Sequence, residues 1–175
     1  MPCFEEADTV SLNLGFLPVA MPSGVFNQLA TLILERVRFC NPSELGDAVS
    51  TPHCPRLQVL KVRHASGLLR LATNSESLLQ LELVELGALR ELAIEAAALK
   101  KLVLSSCFSY MPRVLPVATI SAPRLVILKL GDANVQRYVQ LGRMPHLQSI
   151  GDLSYCVYGL QGPNGGSEHI TIQFV

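Results

Sequence analysis

Apolar residues recur along this chain at a fixed spacing. Four apolar positions follow the pattern Φ-x-x-Φ-x-Φ-x-x-Φ, where Φ is most often leucine, and the pattern fits five stretches without an exception. These rows are Leu29, Leu32, Leu34, Val37; Leu57, Leu60, Val62, Ala65; Leu78, Leu81, Leu83, Leu86; Leu99, Leu102, Leu104, Cys107; and Leu125, Leu128, Leu130, Ala133. Weaker rows flank them: Ala7, Val10, Leu12 and Leu147, Ile150. Apolar and intervening positions alternate within each row, which predicts short strands buried on one side.

The rows start 22, 28, 21, 21, 26 and 22 residues apart. This spacing is typical of leucine-rich repeats, in which neighbouring coils bury each other's apolar faces. We therefore predict an α/β repeat fold over residues 1–160. It is a leucine-rich-repeat solenoid with a parallel β-sheet on the concave face, rich in β-structure and with few short helices.

A second apolar pattern lies halfway between the main rows. Its members are Leu68, Leu71, Thr73; Leu89, Leu92, Ile94; Val114, Val117, Thr119; and Gln136, Val139, Leu141. A half coil of ten or eleven residues is too short for a long helix, so short strands or turns are predicted on the convex face. The 28-residue coil is the exception: Asn41 as N-cap, Pro42 at the first helical position and Glu44 predict a short helix from Pro42 to about Val49.

The C-terminal residues 161–175 are predicted to be a glycine-rich loop and a terminal strand. Ile170, Ile172 and Phe174 alternate with polar residues in the segment His169–Val175, which favours a strand. The preceding run GPNGGSEH has no phosphate-binding lysine and no helix signal after it, so it is interpreted as a loop.

The composition limits the classes of binding partner and the cellular compartments that are expected for this chain. The 14 Lys and Arg residues equal the 14 Asp and Glu residues, and a net charge of zero argues against a nucleic-acid or acidic-membrane partner. The N-terminus lacks a signal-peptide pattern, and no apolar stretch approaches membrane-span length. The odd set of cysteines, without a Cys-x-x-Cys pair, predicts neither disulfides nor a zinc site, and hence the cytoplasm or nucleus. These cysteines are Cys3, Cys40, Cys54, Cys107 and Cys156.

No recognisable catalytic motif occurs, and we predict that the chain is not an enzyme and has no catalytic, cofactor or metal site. The four histidines lack the spacing of metal ligands. His53 and Cys54 are interpreted as a loop histidine before a core cysteine. A Cys–His catalytic pair assembled in space is the alternative that the sequence leaves open.

The positions between the leucines form the candidate binding surface, because alternate residues of a strand point away from the core. These positions are Thr31, Ile33, Glu35, Val59, Lys61, Arg63, Gln80, Glu82, Val84, Lys101, Val103, Ser105, Ile127 and Lys129. Their mixture of apolar and charged groups suits a protein ligand. The alternative is that Lys61 and Glu82 only pair across neighbouring strands. On the convex face, Arg70 and Glu91 stand at matching offsets and are interpreted as a structural ion pair.

The segment CPRLQVLKV, Cys54–Val62, resembles the opening Cys-Pro-x-Leu-x-x-Leu-x-Leu of plant-type repeats. Together with SLLQLELVELGALRELAIEAAALKKLVLSSCF and ISAPRLVILKL, it is similar to the repeat region of plant F-box/LRR proteins over about residues 4–153. In that family an F-box binds the adaptor of a cullin–RING ubiquitin ligase, and the repeats hold the substrate. The resemblance implies a protein-interaction module for substrate recognition. Because no F-box pattern is found here, we expect adaptor binding only through a missing F-box.

Two other interpretations remain at this point. The chain could be the repeat region of another plant intracellular receptor of the immune-receptor type, or a truncated product without independent function. Phe4, Val10, Leu12 and Leu14 leave no room for an N-terminal capping helix, and Asp152 occupies an inward position where the rows fade. We therefore expect an exposed apolar N-terminal edge and self-association of the isolated chain, which size-exclusion chromatography over a concentration series would detect.

Overall fold

The computed structural model describes residues 6–21, 24–108, 115–131 and 139–151, which form short strands and one helix. The elements are β1 (Thr9–Asn13), β2 (Pro18–Val19), β3 (Thr31–Glu35), β4 (Arg38–Phe39), α1 (Glu44–Val49), β5 (Val59–Arg63), β6 (Arg70–Asn74), β7 (Gln80–Val84), β8 (Glu91–Glu95), β9 (Lys101–Ser105), β10 (Val117–Ser121), β11 (Ile127–Leu130), β12 (Val139–Leu141) and β13 (Ser149–Gly151). The predicted loop and strand of residues 161–175, and Asp152, lie outside the described residues. Within the described part of the chain, no helix has the length and apolar character needed to cross a bilayer.

Seven strands form one parallel sheet in the order β1-β3-β5-β7-β9-β11-β13, which we call the concave sheet. Its order follows the chain, so each coil lies beside the next. The register places Leu60 opposite Leu81 and Leu81 opposite Leu102, and all three side chains are fully buried. The predicted leucine-rich-repeat solenoid is therefore confirmed, and the two weaker rows supply the outer strands β1 and β13.

The core is a stack of equivalent side chains rather than a collection of unrelated contacts. Each inward position of one concave strand meets the same position of its neighbours, because parallel strands in matched register keep their side chains on the same side. Small residues close the rows where space is narrow: Ala65 and Cys107 are buried in the fourth position. Ala133, which is equivalent to them, lies outside the described residues.

The opposite side, which we call the convex layer, contains a four-stranded sheet β12-β10-β8-β6 and the pair β2-β4, all parallel. The prediction of short strands at the half-coil positions is confirmed. The register predicted for β10 is wrong: Ala118 and Ile120 face the core, whereas Val117 is 51% exposed and Thr119 is also exposed.

The error in β10 has a simple physical cause. The third convex row was aligned eleven residues before the row that starts at Leu125, but the structure uses ten, as in the two preceding coils. A shift of one residue turns every side chain of a strand to its other side. Val139 and Leu141 of β12 pair with Ala118 and Ile120 and pack against the core, as predicted. Val114 and Gln136 lie outside the described residues.

Helix α1 occupies the 28-residue coil, as predicted, but it begins at Glu44 rather than at Pro42. The Asn41 carboxamide oxygen accepts from the Ser43 N–H at 3.3 Å, and the Asn41 N–H donates to the Glu44 carboxylate at 3.4 Å. Pro42 lies in the preceding turn. Its carbonyl accepts from the N–H groups of Leu69 and Arg70, each at 3.0 Å, so the turn is bonded to the start of β6 instead of continuing the helix.

Helix α1 lies directly against β6. Gly46 faces Ala72 so closely that a Cβ atom at Gly46 would overlap the Ala72 carbonyl. Leu45 and Val49, on the same helix, are buried in the core. The helix therefore takes the place beside β6 that a further convex strand would occupy.

Four concave strands end in the same unusual backbone conformation. The residues after β3, β5, β7 and β9 are Arg36, His64, Glu85 and Ser106, with φ between 50° and 54°. This left-handed region is rarely adopted by residues other than Gly, Asn and Asp. Because the conformation recurs in each of these coils, the turn out of the concave sheet has one geometry that is independent of the residue type.

Candidate functional site

The outer side of the concave sheet presents three columns of side chains that run across the strands. The first column contains Thr9, Thr31, Val59, Gln80, Lys101, Ile127 and Ser149. The second contains Ser11, Ile33, Lys61, Glu82, Val103, Lys129 and Gly151. The third contains Asn13, Glu35, Arg63, Val84 and Ser105. All fourteen candidate positions lie in these columns, and each is at least partly exposed.

Sequence reasoning missed the ends of this surface. Thr9, Ser11 and Asn13 extend it on β1, and Ser149 extends it on β13. The weaker rows Val10, Leu12 and Ile150 carried the signal, because the residues between their apolar positions point outward in the same way. The structure places the candidate residues side by side, but it does not test whether they bind a ligand.

Glu82 pairs with Arg63 and not with Lys61, its register partner. The Arg63 Nε donates to Glu82 Oε1 at 2.7 Å, and the Glu82 side chain is only 14% exposed. A planar guanidinium on a long stem can reach a carboxylate diagonally across two strands and approach it with two N–H groups. The predicted alternative of a Lys61–Glu82 pair is therefore wrong, and Lys61 makes no ion pair among the described residues.

A ridge of polar side chains follows the left-handed residues at the end of the concave strands. His64 Nδ1 lies 2.7 Å from Glu85 Oε2, and the Arg36 guanidinium lies over the Phe16 ring at 5.9 Å from its centroid. Phe16, Glu35, Arg36 and His64 line an open depression. This ridge borders the third column and widens the polar surface.

The convex layer carries its own cross-strand contacts. Arg70 Nε lies 2.7 Å from Glu91 Oε2 on the neighbouring strand, and both side chains are largely exposed. The predicted structural ion pair is confirmed. At the other end of the same two strands, the Asn74 side-chain amide donates to the Glu95 carboxylate at 3.2 Å.

Cys54 occupies a turn rather than an open site. Leu57 N–H bonds to the Cys54 carbonyl at 3.2 Å, and Leu99 with Ala96 and Leu125 with Ala122 form the same contact before β9 and β11. The Cys54 thiol donates to the Ala48 carbonyl at 3.1 Å, and burial raises its pKa from 9.0 to about 11. A raised pKa disfavours the thiolate that a cysteine nucleophile requires. The neighbouring geometry therefore fits a core cysteine.

At the N-terminal end of the solenoid, residues of β1 and the following segments line an apolar cleft. Its lining includes Val10, Leu12, Met21 and Phe26. The same part of the chain exposes Phe16 and Leu17. The exposed apolar N-terminal edge and the self-association both stay predictions, since residues 1–5 lie outside the described part of the chain. Over the described ranges, no group of three His, Cys, Asp or Glu residues is placed to hold a metal ion.

Comparison with known proteins identifies the repeats. Residues 3–145 match the family model described as FBD-associated F-box protein At5g56370, LRR repeats. No curated protein and no solved structure gives a significant match. The matched segment covers well over half of the 175 residues and contains every strand from β1 to β12. The chain therefore belongs to the family formed by the leucine-rich repeats of FBD-associated F-box protein At5g56370.

Proposed function

We propose that this chain is a protein-interaction module whose concave sheet holds the substrate of an F-box-type ubiquitin ligase. The observation that carries the proposal is the outer side of the concave sheet, where three ordered columns combine aliphatic and charged side chains over seven strands. Ile33, Val59, Val103 and Ile127 are partly exposed next to Lys61 and its neighbours. Protein-binding surfaces commonly combine apolar contact area with polar groups that fix orientation.

The sheet is suited to binding because it is held rigid from behind. Leu60, Leu81 and Leu102 are fully buried under the outer columns, so movement of one strand by itself would disrupt the leucine stack. A preorganised surface loses less entropy when it binds. Seven strands spaced by about 4.8 Å, with three to five residues each, present a face of at most roughly 29 by 17 Å. This size fits an extended segment of a partner rather than a whole domain, since stable interfaces bury about 800 Å² per partner.

The family supports the ligase role. The repeats are those of an F-box-associated protein, and this favours the F-box interpretation over repeats of an immune receptor. The free thiols of Cys40 and Cys54 agree with a reducing compartment, so we place the protein in the cytoplasm or nucleus.

Site-specific photo-crosslinking tests the binding face. A benzophenone amino acid is introduced at Val103 or Lys61 on the concave sheet, and at Ala72 or Thr119 on the convex layer as matched exposed controls. Crosslinked proteins in cell extract are identified by mass spectrometry, and the main partner is then purified and retested. We expect the same partner from both concave positions and from neither control. Crosslinking that is equal on both faces would refute the proposal.

A second measurement addresses the adaptor. We expect the isolated chain not to bind the purified cullin–RING adaptor, because the helix of the described residues, Glu44–Val49, is six residues long and packs into the solenoid. A pull-down with purified adaptor checks this expectation. One-to-one binding would show that the repeats themselves carry an adaptor site.

A further inference from the structure

The net charge of zero conceals a separation of charge along the solenoid. Residues 1–95 contain eleven Asp and Glu against seven Lys and Arg, whereas residues 96–151 contain seven Lys and Arg and the single acid Asp132. In a solenoid, position along the chain is also position in space, because each coil contacts only its neighbours. The coils of β9 and β11 are therefore basic. The coils before them, which we call the acidic coils, carry a net negative charge when taken together, although the coil of β5 by itself has more cations than acids.

The acidic coils and the basic coils differ in how their charges are used. Before residue 96, Glu82 and Glu91 are each paired with an arginine on the neighbouring coil, and Glu85 contacts the His64 ring. After residue 95, the described residues include five Lys and Arg and no acid. None of these five cations takes part in an ion pair within the described ranges. Their charge is therefore available to a partner.

Four of these cations form what we call the basic patch: Lys100, Lys101, Arg124 and Lys129. Lys101 and Lys129 stand on the outer side of β9 and β11. Lys100 is exposed directly before β9, and Arg124 is exposed in the turn three residues before β11. The Lys129 stem lies close to Gly151 of β13, with its Cγ 3.6 Å from the place of a Cβ there. The absence of a side chain at Gly151 leaves room for this stem on the surface.

Two residues of the basic patch, Lys101 and Lys129, alternate with aliphatic residues on the outer side of the sheet. Lys101 stands opposite Ile127, and Val103 stands opposite Lys129. The two lysines occupy one diagonal of this square and the two branched aliphatic residues occupy the other. Diagonal neighbours in a sheet are about 7–8 Å apart, close to the roughly 6.7 Å between residues i and i+2 of an extended peptide.

We propose that the basic patch receives an acidic, extended segment of the protein partner, with acids at alternate positions. This inference rests on the proposed function and specifies the chemistry of its ligand. Glu82 on β7, the acid nearest to the patch on the outer side of the sheet, is already paired with Arg63. More distant exposed charges are screened at physiological salt, where the screening length is about 8 Å. Charge complementarity of this kind raises the association rate and selects among partners.

The surface favours an acidic peptide over a nucleic acid. The three outer columns contain no aromatic side chain on which bases could stack, whereas proteins that bind single strands combine basic grooves with such platforms. A flat sheet with Val103 and Ile127 between the lysines also differs from an element that enters a duplex groove. The aliphatic positions instead suit side chains that a peptide places beside its acids.

A binding titration tests the inference with defined probes. A fluorescein-labelled peptide of roughly eight residues, with Glu and Thr alternating, extends over about 27 Å. The same peptide with Gln in place of Glu and an oligothymidylate of equal charge are the competing ligands. We expect measurable affinity for the Glu peptide that falls with salt, weaker binding of the nucleotide, and no measurable binding of the Gln peptide.

Charge reversal then locates the site. Lys101→Glu with Lys129→Glu should weaken binding of the Glu peptide at least about tenfold, since two favourable contacts become repulsive. The matched variant, Arg38→Glu with Arg90→Glu, changes the charge equally at exposed convex positions and should alter affinity less than about twofold. Melting curves of both variants confirm that they are folded.

Several outcomes would overturn the inference: equal losses in both variants, no salt-dependent binding of the Glu peptide, or tighter binding of the oligothymidylate. A partner that crosslinks to the concave sheet but is insensitive to the Lys101 and Lys129 reversals would also overturn it, while the proposed function stands. Absence of concave crosslinks would instead overturn the proposed function, whatever the peptides do.

Discussion

The concave sheet and the convex layer are built from the same repeats but accept departures from them differently. The concave sheet keeps one register through seven strands, while the convex layer is divided into two sheets with α1 between them. The extra residues of the 28-residue coil all lie between β4 and β5, on the convex side. A shift of one residue in a concave strand would turn its leucines away from the core. Inserted residues are therefore accommodated in the convex layer, where the pairing of strands can be interrupted. The comparison indicates that the convex layer absorbs variation and the concave sheet preserves a surface.

The largest expected effect comes from the inner side of the concave sheet. Leu81→Asp places a carboxylate in the middle of the leucine stack, where Leu81 is fully buried between Leu60 and Leu102. We expect a loss of at least about 4 kcal/mol in the free energy of unfolding, because the charge has no partner there.

The control for this change lies on the next strand. Lys61 is on the outer side of β5, and Lys61→Ala should lower stability by less than about 1 kcal/mol. Urea denaturation of both variants gives the comparison. Similar losses would mean that the inner and outer sides of the sheet have been assigned incorrectly.

The next effect concerns the helix of the convex layer. Gly46→Ala introduces a Cβ atom that overlaps the Ala72 backbone, so α1 must move away from β6. We expect a destabilisation of about 1–3 kcal/mol, which is the usual cost of overpacking. Gly24→Ala is the matched control, since a Cβ at Gly24 meets no atom within 4 Å. If thermal melts showed equal stability for the two variants, the helix would not be seated on β6 as described.

A smaller effect should separate the two kinds of strand end. Ser106 follows β9 with φ of 52°, whereas Ser121 ends β10 without a positive φ, and both are exposed. Ser106→Val should destabilise the protein by roughly 1–2 kcal/mol, because a β-branched residue is strained in the left-handed region. Ser121→Val should be within about 0.5 kcal/mol of the parent, since valine suits a strand. Chemical denaturation of both variants tests this difference.

The smallest effect distinguishes the ion pairs of the two faces. In double-mutant cycles with alanine, we expect a coupling energy of about 1 kcal/mol for Arg63–Glu82 and at most about 0.5 kcal/mol for Arg70–Glu91. The concave pair includes a carboxylate that is 14% exposed, while both convex side chains are exposed to solvent. Added salt should reduce both values. A larger coupling on the convex face would contradict this ranking.

The residues of the three outer columns were predictable, because the side of the sheet on which each one lies depends on local alternation. Once Leu60 and Val62 are assigned to the core, Lys61 must point outward, and the same holds in every repeat. The half-coil strand β10 was predicted in the wrong register, because Val117 and Ala118 are both apolar and only the packing distinguishes them. In the folded chain the smaller Ala118 faces the core, and Val117 is exposed to solvent. Two adjacent apolar residues thus leave the side of a strand undetermined.

The sequence by itself determined the solenoid, the order of the concave strands and the residues of its outer columns, since all three follow from the period of the leucines. The tertiary structure decided which charges meet. It joined Glu82 to Arg63 across a diagonal, seated Gly46 on β6, and left Lys101 and Lys129 without an acid partner among the described residues. Period-based reasoning assigns a side chain to a face. Its partner depends on distances between coils that only the folded chain sets.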